Sequence, residues 1–399
     1  MPDVRVLVID DSVTVRRALG DAIEREPGLT VCGTAPNGAL GLELVERSNP
    51  DVIVLDLDMP VLDGLDFLTR LRPQHPRLPV LVFSGTVGHA NEATLEALWR
   101  GASDYVLKPQ GLDPDGMAAF LRAELFPRLL AIARAAAPPK APAPPAPGHG
   151  GNVPALRVHT PEPRAHSTPQ QASRPAAASP RDPMPGVLVV GASTGGPRAL
   201  AAALGELPRE FPIPVAVVQH LPSEMAEFFA AGLSANCRMP VKLAGDGTSV
   251  EPGVLWLAPG GVHLTIVREG LAPRFRFDHG PEQNGCRPAV DPLFRSAAQA
   301  FGAGTLALVL TGMGQDGLAG ARAVHAAHGR VLVQDEASSV VWGMPGAIAR
   351  AGLAHAVLPL AQLAGELIAR ARPGRSGVLR DGGTRAERGS GPDPQAEAA

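Results

Sequence analysis

The feature that most constrains the fold is a break in composition near the middle of the chain. From about Ala135 to Pro185, a run of Ala-Pro-Ala-Pro-Pro-Ala-Pro leads into a mixture of Ser, Pro, Gln and Arg without hydrophobic periodicity. Prolines stiffen and extend such a segment, and its lack of large apolar residues prevents it from burying a core. A chain of 399 residues is also longer than a typical single domain with one hydrophobic core. We therefore predict domains at 1–134 and 186–371, a flexible linker at 135–185 and a disordered tail at 372–399.

Composition excludes several classes of protein. The formal net charge of -3 shows no excess of basic residues, which argues against a nucleic-acid-binding protein. The amino terminus enters an alternating strand directly, and no apolar run approaches membrane-spanning length, so we expect a soluble, cytoplasmic protein without membrane insertion. Cys32, Cys237 and Cys286 lie far apart and form no CxxC motif. This spacing argues against a disulfide framework and structural zinc, and predicts reduced thiols.

The first domain alternates between apolar strands and amphipathic helices. Val4 to Ile9 forms the first strand, and an amphipathic pattern from about Val13 to Arg25 forms the first helix. Four further strands follow, near Thr30–Ala35, Val52–Leu57, Val80–Phe83 and Asp104–Leu107, with helices near Ala39–Arg47, Leu65–Leu71, Glu92–Trp99 and Asp115–Ala133. Five such repeats predict an α/β domain with a doubly wound parallel sheet.

Polar side chains stand at the carboxyl ends of four of these five strands. Asp10 and Asp11 follow the first strand, Asp56 ends the third, Ser84 ends the fourth and Lys108 ends the fifth. Working groups of doubly wound sheets gather at this edge. Three neighbouring carboxylates repel one another unless a hard cation such as Mg²⁺ neutralises them. Aspartates that only cap helices are common, but the full set at matching ends favours a cation site.

The second domain opens on a strand, a tight turn and a helix start. Val187 to Val190 is a buried apolar run, and Gly191-Ala192-Ser193-Thr194-Gly195-Gly196-Pro197 follows it. Glycines permit the turn, and Pro197 suits a first helical turn. The spacing Gly-x-Ser-x-Gly is typical of a nucleophile elbow, which exposes a serine hydroxyl beside backbone N–H donors. The sequence therefore predicts that Ser193 is a candidate nucleophile.

Two further residues are predicted to reach the same sheet edge. His220 follows the strand Pro214–Gln219, and Asp316 follows the buried strand Thr305–Leu310 in a glycine-bracketed turn. A serine hydroxyl needs a histidine to remove its proton, and that histidine works best beside a carboxylate. Taken alone, Ser193 is also explained as a turn serine or a helix cap, and an isolated histidine such as His220 more often has a packing role. Together with Asp316 they predict a catalytic triad.

Other assignments for this domain fit less well. Cys286 is a conceivable nucleophile, but the pattern places no histidine beside it, so we interpret it as a reduced loop thiol. The glycine turn fails the GxGxxG spacing of dinucleotide sites and lacks the lysine of a P-loop. The order Ser, His, Asp also differs from that of α/β-hydrolases. Three short strands suggest a β-hairpin over the sheet: Val254–Ala258, Val262–Val267 and Arg274–Asp278.

The first domain resembles the receiver domain of two-component response regulators from about Asp3 to Arg134. The motifs that carry the resemblance are Asp10-Asp11, Asp56, Ser84, Tyr105 and Lys108-Pro109. The resemblance implies that Asp56 is the phosphoacceptor and that Asp11 ligates Mg²⁺ directly, supported by Asp10 and by the carbonyl of Asp58. It also implies phosphoryl contacts from Lys108 and Ser84, and a CheA-type histidine kinase as phosphodonor.

The second domain resembles the CheB family of chemotaxis receptor methylesterases and deamidases over roughly Gly186 to Ala371. Five segments carry this resemblance in order: Gly191 to Gly196, Gln219-His220-Leu221-Pro222, Leu257-Ala258-Pro259-Gly260, Thr311 to Gly317, and Glu336-Ala337-Ser338 with Gly343-Met344-Pro345. The chain departs from the family pattern at Cys286 and Ala289, where that pattern usually has His and Ser.

By this resemblance Ser193 is the nucleophile, His220 the general base and then acid, and Asp316 the orienting carboxylate, with Thr194 and Met313 lining the site. The implied substrates are γ-glutamyl methyl esters and some glutamines of methyl-accepting chemoreceptors, with no cofactor in the catalytic domain. We expect the receiver to block Ser193 until Asp56 is phosphorylated. Two alternatives stay open: a non-enzymatic signalling scaffold, and an esterase that serves a chemosensory output other than swimming.

Overall fold

The computed structural model describes residues 3–85, 90–136, 184–270 and 272–371. Most of the predicted linker and the whole predicted tail lie outside these ranges. The described residues form two α/β domains, each built around its own parallel sheet, with an additional two-stranded hairpin. The predicted fold class is thereby confirmed, whereas the exact domain limits stay a prediction.

The first domain contains a five-stranded parallel sheet with the strand order β2-β1-β3-β4-β5. Its strands are β1 (Val4–Ile9), β2 (Leu29–Ala35), β3 (Val52–Leu55), β4 (Val80–Ser84) and β5 (Asp104–Leu107). Its helices are α1 (Val13–Glu24), α2 (Gly38–Ser48), α3 (Gly64–Leu71), α4 (Ala90–Trp99), α5 (Pro114–Phe120) and α6 (Phe126–Ala136). The central strands are buried on both faces, as expected for a parallel sheet between helical layers.

The helix starts follow from short polar side chains. Ser12, Asn37 and Asp63 accept hydrogen bonds from backbone N–H groups that have no partner inside their helices. The stretch predicted as one helix from Asp115 to Ala133 is instead interrupted by a π-helical turn at Leu121–Leu125. It then continues to Ala136, two residues into the predicted linker.

The second domain contains a seven-stranded parallel sheet with the order β14-β13-β12-β6-β7-β9-β8. Its strands are β6 (Val187–Ala192), β7 (Val215–Gln219), β8 (Val241–Leu243), β9 (Leu255–Leu257), β12 (Thr305–Val309), β13 (Arg330–Gln334) and β14 (Ala356–Leu358), while β10 (His263–Glu269) and β11 (Ala272–Asp278) form the separate hairpin. Its helices are α7 (Gly196–Leu204), α8 (Ala226–Ala235), α9 (Val290–Phe301), α10 (Leu318–Ala326), α11 (Met344–Arg350) and α12 (Leu360–Ala371).

The structure corrects the reading of the three short strands. The first of them, β9, belongs to the main sheet, and only β10 and β11 form the hairpin. Strand β8 at the sheet edge was missed because its three residues, two half-buried and one exposed, are too few to establish a period. Both β6 and β12 lie in the interior of the sheet, so the residues that follow them meet at one edge.

No helix among the described residues is long and apolar enough to cross a membrane. The expectation of a cytoplasmic protein stays a prediction.

Candidate active site

The first domain holds an acidic pocket at the carboxyl edge of its sheet. One carboxylate oxygen from each of Asp10, Asp11 and Asp56 lies within 4.8 Å of the others. The Lys108 ammonium donates hydrogen bonds to Asp10 Oδ2 at 2.8 Å and to Asp56 Oδ2 at 2.5 Å. Burial raises the pKa of Asp56 to about 6, although Lys108 opposes this shift. The pocket therefore concentrates negative charge that a single lysine only partly balances.

Ser84 lies at the end of β4 and beside this pocket. Its side chain is buried, and its hydroxyl has no hydrogen-bond partner among the described residues. Its carbonyl accepts a hydrogen bond from the Lys108 N–H at 2.7 Å, which ties the ends of β4 and β5 together. The structure therefore brings all five polar residues predicted for this edge into one region. Among them, the Ser84 hydroxyl makes no hydrogen bond within the described residues.

The turn around Ser193 is fixed by its backbone. The Ser193 N–H donates to the Thr311 carbonyl at 3.1 Å, and the Gly196 N–H donates back to the Ser193 carbonyl at 2.7 Å. Gly195 has φ +75, and a Cβ on Gly196 would overlap the Gln219 side chain. Only glycine meets both requirements without strain, because other residues carry a Cβ. The amide of Gln219 also donates to the Ser193 carbonyl at 3.0 Å.

His220 and Asp316 form the pair that the sequence predicted. His220 Nε2 lies 2.8 Å from Asp316 Oδ2. The Asp316 carboxylate is buried and also accepts hydrogen bonds from the backbone N–H groups of Val290 at 2.6 Å and Asp291 at 3.1 Å, at the start of α9. Burial alone would raise the pKa of Asp316, but the donors, led by His220, hold it below its ordinary value. Asp316 therefore stays ionised beside the imidazole.

Ser193 and His220 line the same cavity, but no hydrogen bond joins their side chains in the described part of the chain. The second nitrogen of the imidazole, Nδ1, lies 3.4 Å from the sulfur of Cys286. Burial lowers the pKa of His220, but the Asp316 carboxylate and the Cys286 thiol outweigh it and raise the value to about 9. Hydrogen bonds of catalytic groups are often long or unformed before substrate binds, so this arrangement is compatible with a triad.

Of the two predicted lining residues, only Thr194 lies in the cavity wall. Its hydroxyl donates to Asp104 Oδ2 of the first domain at 2.6 Å. Met313 is 40% exposed and is absent from the described cavity wall. Thr194 therefore links the Ser193 turn directly to the neighbouring domain.

The cavity in front of Ser193 has a volume of about 590 Å³ and is lined by both domains. The first domain contributes Asp104 and Tyr105 from β5, and Arg128 from α6. Arg128 also lies 3.4 Å from the Asp104 carboxylate. Beside the cavity, the Trp99 ring of α4 stacks on Phe229 of α8, with the ring centroids 5.6 Å apart. The first domain thus forms part of the wall of the cavity in front of Ser193.

Sequence reasoning did not predict the contacts that three residues make in this site. Asn284 donates to Asp316 Oδ1 at 3.0 Å and to Asp291 Oδ2 at 3.1 Å, Cys286 contacts His220, and Asp104 binds Thr194. The Asn284-Gly285 dipeptide is a turn signal, but nothing in the sequence places that turn over His220. Cys286 is a free thiol, as predicted, but the fold brings it beside His220, which the sequence pattern did not indicate.

Comparisons with known proteins agree with this architecture. Residues 188–367 match the family model of the CheB methylesterase, and residues 6–118 match that of the response regulator receiver domain. The chain is 39% identical to a protein-glutamate methylesterase/protein-glutamine glutaminase of Trichodesmium erythraeum, covering 93% of this chain and 99% of the relative. It is 41% identical to a protein of the same name from Nocardioides sp., covering 94% of this chain and 98% of the relative.

Among solved structures, the crystal structure of the Thermotoga maritima CheB methylesterase catalytic domain is 38% identical, with a TM-score of 0.46, covering 46% of this chain and 97% of that chain. A receiver domain in front of a second α/β domain defines a response regulator with an effector domain. The relatives that match nearly the whole length make the family specific: the chain belongs to the CheB methylesterases. Both resemblances and the prediction of an enzyme are confirmed.

Proposed function

We propose that the chain hydrolyses glutamate γ-methyl esters of methyl-accepting chemoreceptors, deamidates some of their glutamines, and is activated by phosphorylation of Asp56. The observation that carries the catalytic part is the His220–Asp316 pair, with Nε2 and Oδ2 2.8 Å apart, because His220 lines the same cavity as Ser193. The matched relatives carry the corresponding names. A Ser–His–Asp set also needs no cofactor in the catalytic domain.

In the proposed reaction, Ser193 Oγ attacks the ester carbonyl carbon while its proton passes to His220. The receiving atom is Nδ1, because Nε2 is held by Asp316. The oxyanion lies against the turn, where the backbone N–H groups of Thr194 and Gly195 donate no hydrogen bond within the described residues. His220 then returns the proton to the departing methoxide, which leaves as methanol. An acyl-enzyme on Ser193 remains.

Deacylation reverses these roles. His220 takes a proton from water, the resulting hydroxide attacks the acyl carbon, and Ser193 leaves with that proton, which frees the glutamate side chain. For a glutamine substrate the first leaving group is ammonia. Asp316 holds the required tautomer of His220 and stabilises the imidazolium during both acylation and deacylation. Its lowered pKa suits this role, because the carboxylate stays charged.

The closed arrangement of the domains supports a gate. Asp104 holds Thr194, the residue after the nucleophile, and the cavity wall is completed by receiver side chains. Asp104 begins β5, and Lys108 directly follows the strand, so one short strand joins the interface to the acidic pocket. Phosphorylation would add charge and acceptor oxygens at Asp56, within reach of Lys108 and Ser84, and shift the equilibrium towards separated domains.

The acidic pocket fits a divalent cation, because three carboxylates converge there. Asp10, Asp11 and Asp56 would hold Mg²⁺, and the bound ion would neutralise charge on an incoming phosphoryl group. The Asp56 carboxylate accepts that group, and Lys108 supplies a second positive contact. We propose a CheA-type histidine kinase as the phosphodonor, as the receiver domain implies.

The test of the chemistry is methanol release from methylated chemoreceptor, with Ser234→Ala, an exposed serine on α8, as the matched control. Ser193→Ala should abolish release, whereas Ser234→Ala should behave as wild type. Equal release by Ser193→Ala and wild type would exclude Ser193 as the nucleophile, and release no faster than from receptor alone would favour a non-enzymatic scaffold.

The test of the gate is the same assay with and without a small-molecule phosphodonor and Mg²⁺. Wild type should accelerate on phosphorylation, and Asp56→Asn should stay at the basal rate. Equal rates for Asp56→Asn and phosphorylated wild type would refute the gate while leaving the hydrolase intact.

A further inference from the structure

Cys286 is presented to the active site by a rigid two-residue turn. Gln283 and Cys286 exchange both backbone hydrogen bonds, at 3.1 and 3.0 Å, while Asn284 and Gly285 between them have φ +55 and +72. Two consecutive positive φ values define the mirror-image hairpin turn that Asn-Gly favours. The Asn284 amide fastens this turn to Asp316 at 3.0 Å. The position of Cys286 is therefore set by backbone pairing and by the triad carboxylate.

The thiol occupies the one imidazole nitrogen that catalysis needs. Nε2 of His220 lies 2.8 Å from Asp316, and Nδ1 lies 3.4 Å from Cys286 Sγ. A carboxylate only accepts hydrogen bonds, so Nε2 carries a proton, and in the neutral ring Nδ1 is the acceptor. Cys286 Sγ and the Ser193 hydroxyl therefore compete for the same ring nitrogen, Nδ1. In the described structure, that nitrogen contacts Cys286.

The other two cysteine thiols lie outside the described wall of the active-site cavity. Cys32 lies in the first domain, 3.7 Å from the Ser48 hydroxyl, and burial raises the pKa of Cys237 to about 11. Neither belongs to the described wall of the Ser193 cavity, whereas Cys286 does. Cys237 therefore serves as a matched control for Cys286.

We propose that Cys286 is a positioning residue that holds His220 away from Ser193 in the resting enzyme and so limits ester hydrolysis. This role rests on the proposed function, because Ser193 must be the nucleophile. Activation then requires two releases: the receiver from the cavity, and the imidazole nitrogen from the thiol.

The contact also affects the charge of the base. The charged ring can donate Nδ1–H to the sulfur, so the contact favours the protonated form, and its removal should lower the pKa of His220 and increase the neutral fraction at pH 7. Apart from Asp316, which pairs with the ring, the ionisable groups near His220 are those that line the cavity: Glu282, Arg287, Asp104, Tyr105, Glu124 and Arg128. None of them changes in a Cys286 variant. A shift in the pH profile of such a variant therefore reports on the thiol.

The kinetic test compares full-length wild type, Cys286→Ala, Cys286→Ser and Cys237→Ala, each activated with phosphodonor and Mg²⁺. Loss of one neutral hydrogen bond predicts that Cys286→Ala raises kcat/KM at pH 7 about three- to tenfold and moves the pH profile to lower pH. Cys286→Ser should return the rate towards wild type, and Cys237→Ala should leave it unchanged. An unchanged or lower rate in Cys286→Ala with an unshifted pH profile overturns the proposal.

A second measurement uses N-ethylmaleimide, whose double bond accepts the thiol sulfur on one carbon and a proton on the other. The Cys32→Ala/Cys237→Ala chain should lose activity on labelling, since the adduct stands against His220, whereas Cys286→Ala should keep it. Complete labelling at Cys286 without loss of activity overturns the proposal.

An NMR titration of the His220 ring tests the Cys286 contact independently of the proposed hydrolase activity. A lower pKa in Cys286→Ala supports the thiol contact even if no variant releases methanol, in which case the proposed hydrolase activity is what fails. An identical His220 titration in both chains counts against the contact itself.

Discussion

Removal of the Trp99 ring should open the gate without phosphorylation. The ring stacks on Phe229 at 5.6 Å with an interplanar angle of 12°, and Phe229 is completely buried. Aromatic anchors near the centre of an interface typically cost about 2 kcal/mol or more when truncated to alanine. At 1.36 kcal/mol per tenfold change, Trp99→Ala should increase the ratio of open to closed molecules about thirtyfold.

The assay is methanol release from methylated receptor in the absence of phosphodonor, followed by the same assay after phosphorylation. We expect the basal rate of Trp99→Ala to rise about thirtyfold, or up to the phosphorylated wild-type rate if that limit comes first. The phosphorylated rates should agree, because Trp99 does not take part in the chemistry.

Two further variants sharpen the test. Gly232→Ala leaves the receiver unchanged, but its new Cβ would overlap the Trp99 indole, so it should also raise the basal rate. Glu46→Ala removes an exposed side chain that pairs with His75 at 2.7 Å within the receiver and should have no effect. The reasoning is refuted if Trp99→Ala keeps the wild-type basal rate while folded, or if it changes basal and phosphorylated rates by the same factor.

Three other predictions concern the sites themselves. Because only neutral imidazole accepts the Ser193 proton, kcat/KM should rise with pH until about 9, the pKa of His220, and Asp316→Asn should lower both the rate and the pH of this rise, which a pH–rate profile measures. Mg²⁺ should stabilise the wild-type chain against urea by about 2.7 kcal/mol at a hundredfold excess over its Kd, and much less in Asp56→Asn; equal stabilisation of both chains would argue against the carboxylate pocket as the site. Gly312→Ala places a Cβ 2.8 Å from the Ser193 Cβ, so kcat should fall at least tenfold while circular dichroism stays native, and a wild-type kcat would show that the turn adapts.

Local patterns in the sequence were sufficient to predict the two parallel sheets and the functional residues at their carboxyl edges. Alternation of apolar strands with amphipathic helices predicts parallel sheets, and parallel strands deliver the residues after their carboxyl ends to a common edge. This reasoning predicted that Ser193, His220 and Asp316 lie close together, and that Asp56 lies close to Lys108. The short edge strand β8 escaped it, because three residues do not establish a period.

Only the tertiary structure decided which atoms touch. Thr194 meets Asp104 across 90 positions of sequence, and Cys286 meets His220 across 66. Neither contact leaves a periodic trace, because each depends on how separate elements pack and on where a loop closes. The sequence alone therefore determined that a serine, a histidine and an aspartate share a sheet edge. Packing between domains and the closure of one Asn-Gly turn determined that, in the closed state, the histidine faces a thiol and the serine lies behind the receiver.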